Sequence, residues 1–416
     1  MVINHLRTQH AVGQGGFHAA ILHADEAEPP FRYVYDCGAL PKYAHARTRE
    51  IDAFLEDKSE IDILFLSHIH ADHVNGVKRL LAPSGGVRAK TIMLPNLHVA
   101  ERLMAYGEGL SDGSARRDAF VRDMAIDPVE ALGRFEPDEI VFVDRGGVGG
   151  APGAGGEPIE PAPVDGRPRD RTWKLVGTGH ENPVREAGPD GPAVLVIPDT
   201  AGVMTRAGGD GWSWLLLPYI DEMVAAKREA FLADLAGRLG LTVETLRTNL
   251  KGAAYVRSLV LEHAGDLQKA YEVSGKDINK TSMSLYSGPG QVVDAKHDAY
   301  AHAEMWTSFG GPVAWLATGD AMLKQVSRRT RFFEHFGRNL KTVKTFMVPH
   351  HGASSCFHND LAMATSADTF VVAADRYGRW RHPAEIVMLA VANAGHRLRI
   401  VNSNDASRLI ERVQIP

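Results

Sequence analysis

The run His68-Ile69-His70-Ala71-Asp72-His73 constrains this chain more than any other stretch, because it puts four potential metal ligands within six residues. It follows directly on Ile61 to Leu66, a compact apolar run that reads as a buried strand. The cluster therefore sits on a loop at the C-terminal end of a strand. Ligands collect there in α/β sheets, because a rigid scaffold holds loops whose backbone groups stay free. Imidazole nitrogen combined with carboxylate oxygen suits zinc, manganese or iron better than magnesium or calcium, which favour all-oxygen shells. In an extended segment His68 and His70 lie on one side, while Asp72 and His73 follow a tight turn and can face a second ion.

Two cations roughly 3.5 to 4 Å apart repel each other unless an anion lies between them. Asp320, in Ala317-Thr318-Gly319-Asp320 at the end of an apolar strand, offers that bridge, with Gly319 allowing close backbone approach. An aspartate ahead of Ala-Met-Leu-Lys-Gln-Val could instead cap a helix; the histidine cluster favours the metal role. A further ligand is offered by Val348-Pro349-His350-His351-Gly352, again at a strand end. Adjacent histidines point to different sides, so one can bind metal while the other faces substrate.

The chain has 416 residues, 44% hydrophobic and 23% charged, a composition that builds a sizeable core. Its length allows two or three domains or one elaborated α/β domain with insertions, and the expectation is a single domain over 1–416. A net charge of -5 excludes a protein that coats nucleic acid by bulk charge, though not one with a local basic groove. The two cysteines, Cys37 and Cys356, lack CxxC spacing, so neither a disulfide framework nor a thiolate zinc cluster is indicated. The N-terminus has no basic segment followed by an apolar one, and no apolar run approaches a bilayer span. The expected setting is cytoplasmic, without membrane contact.

Strand-like runs are expected at Thr172 to Val176, Ala193 to Ile197, Trp212 to Leu217, Thr281 to Tyr286, Pro312 to Thr318, Thr342 to Val348, Thr369 to Ala373, Arg397 to Val401 and Arg408 to Ile415. A helix is expected from about His45 to Asp57. Residues 111–171 form a variable insertion, Gly/Pro-rich from Gly146 to Pro168 and read as a mobile loop or lid. Residues 219–278 form a helical insertion, with amphipathic helices at Ile220 to Leu239 and Tyr255 to Leu267 that could dock a protein partner.

VGQGGF (12–17), YDCG (35–38), SHIHADHVNG (67–76), NKTSMSL (279–285), LATGD (316–320), VPHHGASS (348–355) and YGRWRHPAE (377–385) occur in this order. Together they resemble the metallo-β-lactamase superfamily. More narrowly, the set is similar to the branch holding the hydrolase domain of ComEC-type DNA-uptake proteins and the phosphorylcholine esterases. The resemblance covers about 1–110 and 279–416. It implies an αββα sandwich of two mixed sheets flanked by helices, and a site with two divalent transition metal ions, zinc foremost and manganese as the alternative.

Carried over by residue, the resemblance implies that His68 and His70 bind the first metal and Asp72 and His73 the second. Asp320 would bridge them and His351 would complete the second site. His350 would contact the substrate, His382 would lie at the pocket rim, and Asp36 would orient ligands from behind. Many members use a third imidazole at the first metal; no histidine motif supplies it here, and His180 is the nearest candidate. Asn279 with Ser282 instead fits the branch's Asn-x-x-Ser element, which implies substrate-side contacts and a more open first metal.

The implied chemistry is metal-assisted hydrolysis, with Asp72 orienting the attacking water and His350 stabilising phosphoryl oxygens. Between Lys324 and Lys344 stand Arg328, Arg329, Arg331, Arg338 and Lys341 against one acid, Glu334. Such a stripe can neutralise phosphates, so the expected substrate is a phosphodiester in nucleic acid; it also reads as a solvated helix face. Arg376, Arg379 and Arg381 add a second basic cluster near His382. The alternatives are a small phosphodiester, a lactone or a thioester, and, in another class, an inactive or regulated partner-binding module.

Overall fold

In strand β4 (Ile61–Phe65) every residue is buried, yet its side chains go two ways. Ile63 and Phe65 enter the space between two sheets, while Leu64, with Leu66 just beyond, packs beneath helices on the outer face. That period-two division is the reason the run is apolar at every position but Asp62 rather than alternating. Trp315 and Leu316 divide in the same way in the other sheet, the tryptophan inward and the leucine outward.

The computed structural model describes residues 3–23, 29–114, 118–145, 173–177, 191–206, 213–222, 225–274, 281–289, 293–375 and 381–415. Its strands, in chain order, begin with β1 (Ile3–Gln9), β2 (Phe17–His23), β3 (Phe31–Cys37), β4, β5 (Ala89–Pro95) and β6 (Glu139–Asp144). Then follow β7 (Trp173–Val176), β8 (Ala193–Pro198), β9 (Gly202–Arg206), β10 (Ser213–Asp221), β11 (Ser282–Gly288) and β12 (Lys296–Ala301). The last are β13 (Glu304–Phe309), β14 (Ala314–Ala317), β15 (Val343–Met347), β16 (Thr369–Ala373), β17 (Arg397–Val401) and β18 (Leu409–Ile415). One sheet has ten strands in the order β13-β12-β18-β1-β2-β3-β4-β5-β6-β8, the other eight in the order β17-β16-β15-β14-β11-β10-β9-β7. Both are mixed: β3 to β6 and β8 run parallel, as do β14 to β17, and the remaining pairs are antiparallel. Helices cover both outer faces, giving the αββα sandwich. No helix among the described residues is long and apolar enough to cross a membrane.

Three expectations change. Ile220 and Asp221 are not helical; they pair with Met283 and Ser282, so β10 runs on to Asp221 and the helix begins at Ala225. The expected helix at Tyr255 to Leu267 breaks at His263 into Ala253–Glu262 and Ala264–Ser274. Finally, the described residues of 111–144, part of the stretch expected to be a variable insertion, are built into regular elements. They hold helices Ala119–Ile126 and Pro128–Gly133, and β6, which sits inside the ten-stranded sheet between β5 and β8. Phe120, Val121 and Met124 bury that helix where the sequence pattern is weak. Residues 146–168, read as a lid, lie outside the described residues. The helices between β10 and β11 leave the eight-stranded sheet and bury Phe231, Leu235, Val256, Leu259 and Leu267 with Leu103 of helix Val99–Asp112, on the far side of the ten-stranded one. Their apolar stripes are thus taken up by the chain's own core.

The core between the sheets also contains charge. Arg7, inward on β1, donates to Glu411 (2.8 Å), to the Val313 carbonyl (2.8 Å) and to Thr345 Oγ1 (3.2 Å). Glu411 also accepts from Thr345 (2.6 Å) and faces His297 Nε2 at 2.9 Å. Burial opposes the carboxylate's charge, but Arg7 and His297 overcome it and hold Glu411 well below the usual carboxylate range. With its pKa depressed in the folded state, Glu411 contributes stability fully above the unfolded value near 4.5, and that contribution is lost as pH falls toward the folded value. Urea midpoints measured stepwise below pH 5 should therefore fall with pH, and should fall less in Glu411→Gln; equal slopes would contradict this assignment.

Candidate metal centre

The C-terminal ends of β3, β4, β14, β15 and β16, drawn from both sheets, meet at one rim. From β4 the chain continues through bends at Ser67 and Ile69 to an extended His70 and then turns into the short helix Ala71–Val74, which carries Asp72 and His73. Past β14, Gly319 adopts φ +52, and a Cβ there would meet Ser282 Oγ at 2.4 Å, so the turn that presents Asp320 requires glycine. The Asp320 N–H donates to Ser282 Oγ (3.0 Å), and the His350 N–H donates to the Gly319 carbonyl (2.9 Å). Met283 N–H donates to the Ser67 carbonyl (2.8 Å), tying the two sheets together beside the ligands.

Asp36, His350 and His351 all have left-handed backbones, with φ of 58, 47 and 54. Such conformations cost about 1–3 kcal/mol each in a residue with a side chain and persist where surrounding structure enforces them, characteristically at functional sites.

Three imidazoles are gripped from behind. His73 Nδ1 lies 2.8 Å from Asp36 Oδ2, His68 Nδ1 lies 2.9 Å from Ser67 Oγ, and His351 Nδ1 lies 2.8 Å from the Ala373 carbonyl. Asp36 in turn accepts from the Ser67 N–H and hydroxyl, both at 2.7 Å. Bonding of this kind puts the proton on Nδ1 and turns Nε2 toward the centre, the arrangement by which proteins orient metal-binding histidines. The Nε2 atoms then face carboxylates. Asp320 Oδ2 is 3.4 Å from His68 and Oδ1 is 3.5 Å from His73, while Asp72 Oδ2 is 3.1 Å from His351 and 4.0 Å from His73.

His68, His73 and Asp320 form one set able to hold a cation, and Asp72, His73 and His351 form an overlapping second; within each, the ligand atoms lie within 4.8 Å of one another. His73 Nε2 is buried with no hydrogen-bond partner, as a ligand atom is expected to be. The charges agree. Burial opposes ionisation of Asp72 and Asp320, but the surrounding imidazoles hold both carboxyls well below the usual range. Burial likewise opposes a charge on His73, and Asp36, Asp72 and Asp320 reverse that and raise it well above 6.5. Three buried carboxylates around one imidazole suit a cation, and the nitrogen and oxygen donors suit zinc or manganese.

His70 is placed differently from the expectation. Its Nδ1 faces Asp72 and its Nε2 lies 3.2 Å from Asp112, so His68 is grouped with His73 and Asp320 rather than with His70. Asp112 closes the helix Val99–Asp112, and no local motif in the sequence marks it. Ser67, directly before the histidine run, was also missed; a hydroxyl next to a ligand is the signal that could have found it.

His350 stands beside Asp320, with Nε2 3.8 Å from Asp320 Oδ2 and Nδ1 3.4 Å from the buried thiol of Cys356. The His382 ring is 6.1 Å from that of His350, and burial together with His351 pushes its pKa down to about 4. Ser282 is fully buried against the Asp320 backbone, which makes it a positioning residue for Asp320. Asn279, His180, Arg376 and Arg379 lie outside the described residues.

The basic stripe divides between buried and exposed residues, with Arg331 half-buried. Arg328 is buried and pairs with Asp221 (2.7 Å), Arg329 with Asp360 (2.9 Å) and Lys344 with Asp368 (2.7 Å), which leaves Lys324, Arg338 and Lys341 exposed.

Asp36 lends itself to a direct test. Asp36→Ala removes the acceptor shared by His73 Nδ1, the Ser67 hydroxyl and the Ser67 N–H, and should weaken zinc binding about 10- to 100-fold. Competition with a fluorescent chelator measures it, and unchanged affinity would contradict the positioning role.

No protein-family model and no curated protein sequence matches the chain. Among solved structures it is similar to the metallo-β-lactamase fold protein YhfI from Bacillus subtilis, with 8% identity, 96% of this chain and 98% of that chain covered, and a TM-score of 0.36. It is also similar to unliganded yeast PDE1, with 9% identity, 99% of each chain covered and a TM-score of 0.36.

Proposed function

We propose that this chain is a metal-dependent hydrolase of the metallo-β-lactamase fold that cleaves phosphodiesters. The observation that carries the reading is the set of three histidines, each held through Nδ1 from behind, whose Nε2 atoms converge on the buried carboxylates of Asp72 and Asp320. His68, His73 and Asp320 would hold one divalent cation, and Asp72 and His351 with His73 would define the second position. Asp320 is suited to span them because its two oxygens face different imidazoles. When bound, such cations supply Lewis acidity for an attacking water and for charge that develops on a phosphoryl oxygen. Asp72 would orient the water, and His350, beside Asp320, would offer a hydrogen bond to the phosphoryl group.

A compact phosphodiester is favoured over a nucleic-acid strand, because Arg328, Arg329 and Lys344 are already engaged by acids of the chain itself. The test begins with elemental analysis after zinc or manganese loading, where close to two ions per chain are expected and no bound metal would end the proposal. The loaded protein is then offered a chromogenic phosphodiester, linear DNA, RNA, a lactone and a thioester. Cleavage of the small phosphodiester, stopped by chelator, is the expected result. Cleavage of the lactone or thioester alone would overturn the phosphodiester reading.

A further inference from the structure

Each sheet ends in an open strand, and a free row of backbone N–H and C=O groups recruits another chain unless charge, proline, shortness or a cover blunts it. Among the described residues, three of the four strands that end the two sheets are blunted. β17 carries Arg397 and Arg399, β7 is four residues long with Lys174 exposed, and β8 has no exposed residue. β13 has none of these devices. No residue of Glu304–Phe309 is buried, no proline or bulge interrupts the strand, and its only charge, Glu304, is paired with Arg399 (3.0 Å). Met305 is 63% exposed and Phe309 77%.

A two-residue turn through His302 and Ala303, both left-handed with φ of 51 and 62, joins β12 to β13 and sets their register. Lys296 faces Phe309, Tyr300 faces Met305, and the Gly310 N–H donates to the Ala295 carbonyl (2.7 Å). Backbone groups alternate along an antiparallel strand. Trp306 and Ser308 therefore bond to β12, while Met305, Thr307 and Phe309 present their N–H and C=O to the open edge. The side chains of the same three residues share one face of the sheet. The other face is occupied, because the guanidinium carbons of Arg397 and Arg399 lie over the Trp306 ring, 4.7 and 4.4 Å from its centroid.

We infer that β13 pairs antiparallel with β13 of a second copy of this chain, about a twofold axis at Thr307. Only registers that set Met305, Thr307 and Phe309 against one another use the groups that β12 leaves open. The register centred on Thr307 forms about six backbone hydrogen bonds and lays Met305 of each copy on Phe309 of the other, covering both exposed apolar side chains. None of these three residues is charged, so identical edges meet without repulsion. An extended peptide would satisfy the backbone groups equally, but the strand whose side chains match this edge is the edge itself. Such a contact is isologous and closes at two copies. A strand about 20 Å long buries on the order of 700 Å² in total, below the roughly 1,200 Å² of stable complexes, so the dimer forms and dissociates with concentration. The inference is independent of the hydrolytic reading, since no residue of β13 belongs to the metal-binding sets.

Sedimentation velocity of the metal-loaded full chain should show the average mass rising from one chain at about 1 µM toward two at about 300 µM, the behaviour of a small interface. Met305→Lys with Phe309→Lys sets like charges opposite each other and should stay a monomer throughout. Met305→Lys with Phe309→Glu pairs opposite charges across the twofold axis, in this register alone, and should dimerise again. Thr307→Pro removes an N–H that its own sheet does not use, and should abolish dimerisation. Unchanged far-ultraviolet circular dichroism reports the fold of each variant. A chain that stays monomeric across the series, even one whose edge takes up an extended peptide, would overturn the inference. So would a dimer indifferent to the two lysines, or a lysine–glutamate variant that dimerises no better than the double lysine.

Discussion

Asp320→Ala should reduce hydrolysis about 10³-fold and remove at least one of the two metal ions while leaving the fold intact. The carboxylate is buried, with one oxygen toward His68 and the other toward His73. Charge stabilisation by a bound cation is worth several kcal/mol in the transition state, and each 1.36 kcal/mol is a factor of ten in rate. Alanine leaves two imidazoles without the anion that lies between them. The backbone has no reason to move, because the Asp320 N–H to Ser282 Oγ bond and the Gly319 turn do not involve the side chain. Metal content by elemental analysis and kcat on a chromogenic phosphodiester are the measurements. Full activity with two ions bound would remove Asp320 from the centre.

Glu411→Ala should destabilise the fold by about 3–5 kcal/mol with no direct effect on the metal ligands. The loss comes less from the broken bond than from the Arg7 guanidinium, left buried without its counter-charge. Arg7 retains the Val313 carbonyl and Thr345 Oγ1, which solvate the cation only in part. Replacing both partners by apolar residues of similar volume, Arg7→Met with Glu411→Leu, should recover most of that stability, because a buried ion pair costs about as much to desolvate as it returns. Urea unfolding of the single and double variants separates these terms. A single variant within about 0.5 kcal/mol of the unaltered protein, the range of ordinary surface changes, would show that the pair is solvated rather than buried.

Much of the fold could be read in the sequence wherever apolar side chains recur on both faces of a strand. β4, β14 and β16 are legible because each lies between two packed layers and so is apolar at nearly every position, and β15 keeps Val343, Phe346 and Met347 around Lys344 and Thr345. β13 was not, because it is the outer edge of the ten-stranded sheet, with Glu304, Met305 and Phe309 in solvent. β1 departs from the usual alternation in the opposite sense, since its inward face carries His5, Arg7 and Gln9, polar residues that periodicity assigns to the surface. β6 was hidden within a stretch read as variable.

At the site, His68, Asp72, His73, Asp320 and His351 share short motifs at strand ends, where spacing alone carries information. The partners that fix them do not. Asp112 reaches His70 from the far end of a helix, and the Ala373 carbonyl holds His351 with a backbone group common to every residue. A contact of that kind leaves no trace in residue identity. The seven basic residues from Lys324 to Lys344 are read only in part for a related reason, because sequence shows charge and not the acid that answers it across the fold, as Asp221 does for Arg328.

The ligands come from strand ends of two different sheets, with more than two hundred residues of chain between His73 and Asp320. An ion held there is a clasp: it closes a loop of more than two hundred residues and is itself closed in only when both sheets have docked. Binding energy and folding energy are then one quantity, so metal raises the resistance of the whole sandwich to unfolding and not of one end of it. A fragment stopping short of β14 would keep the histidine run in full and have nothing for it to close upon.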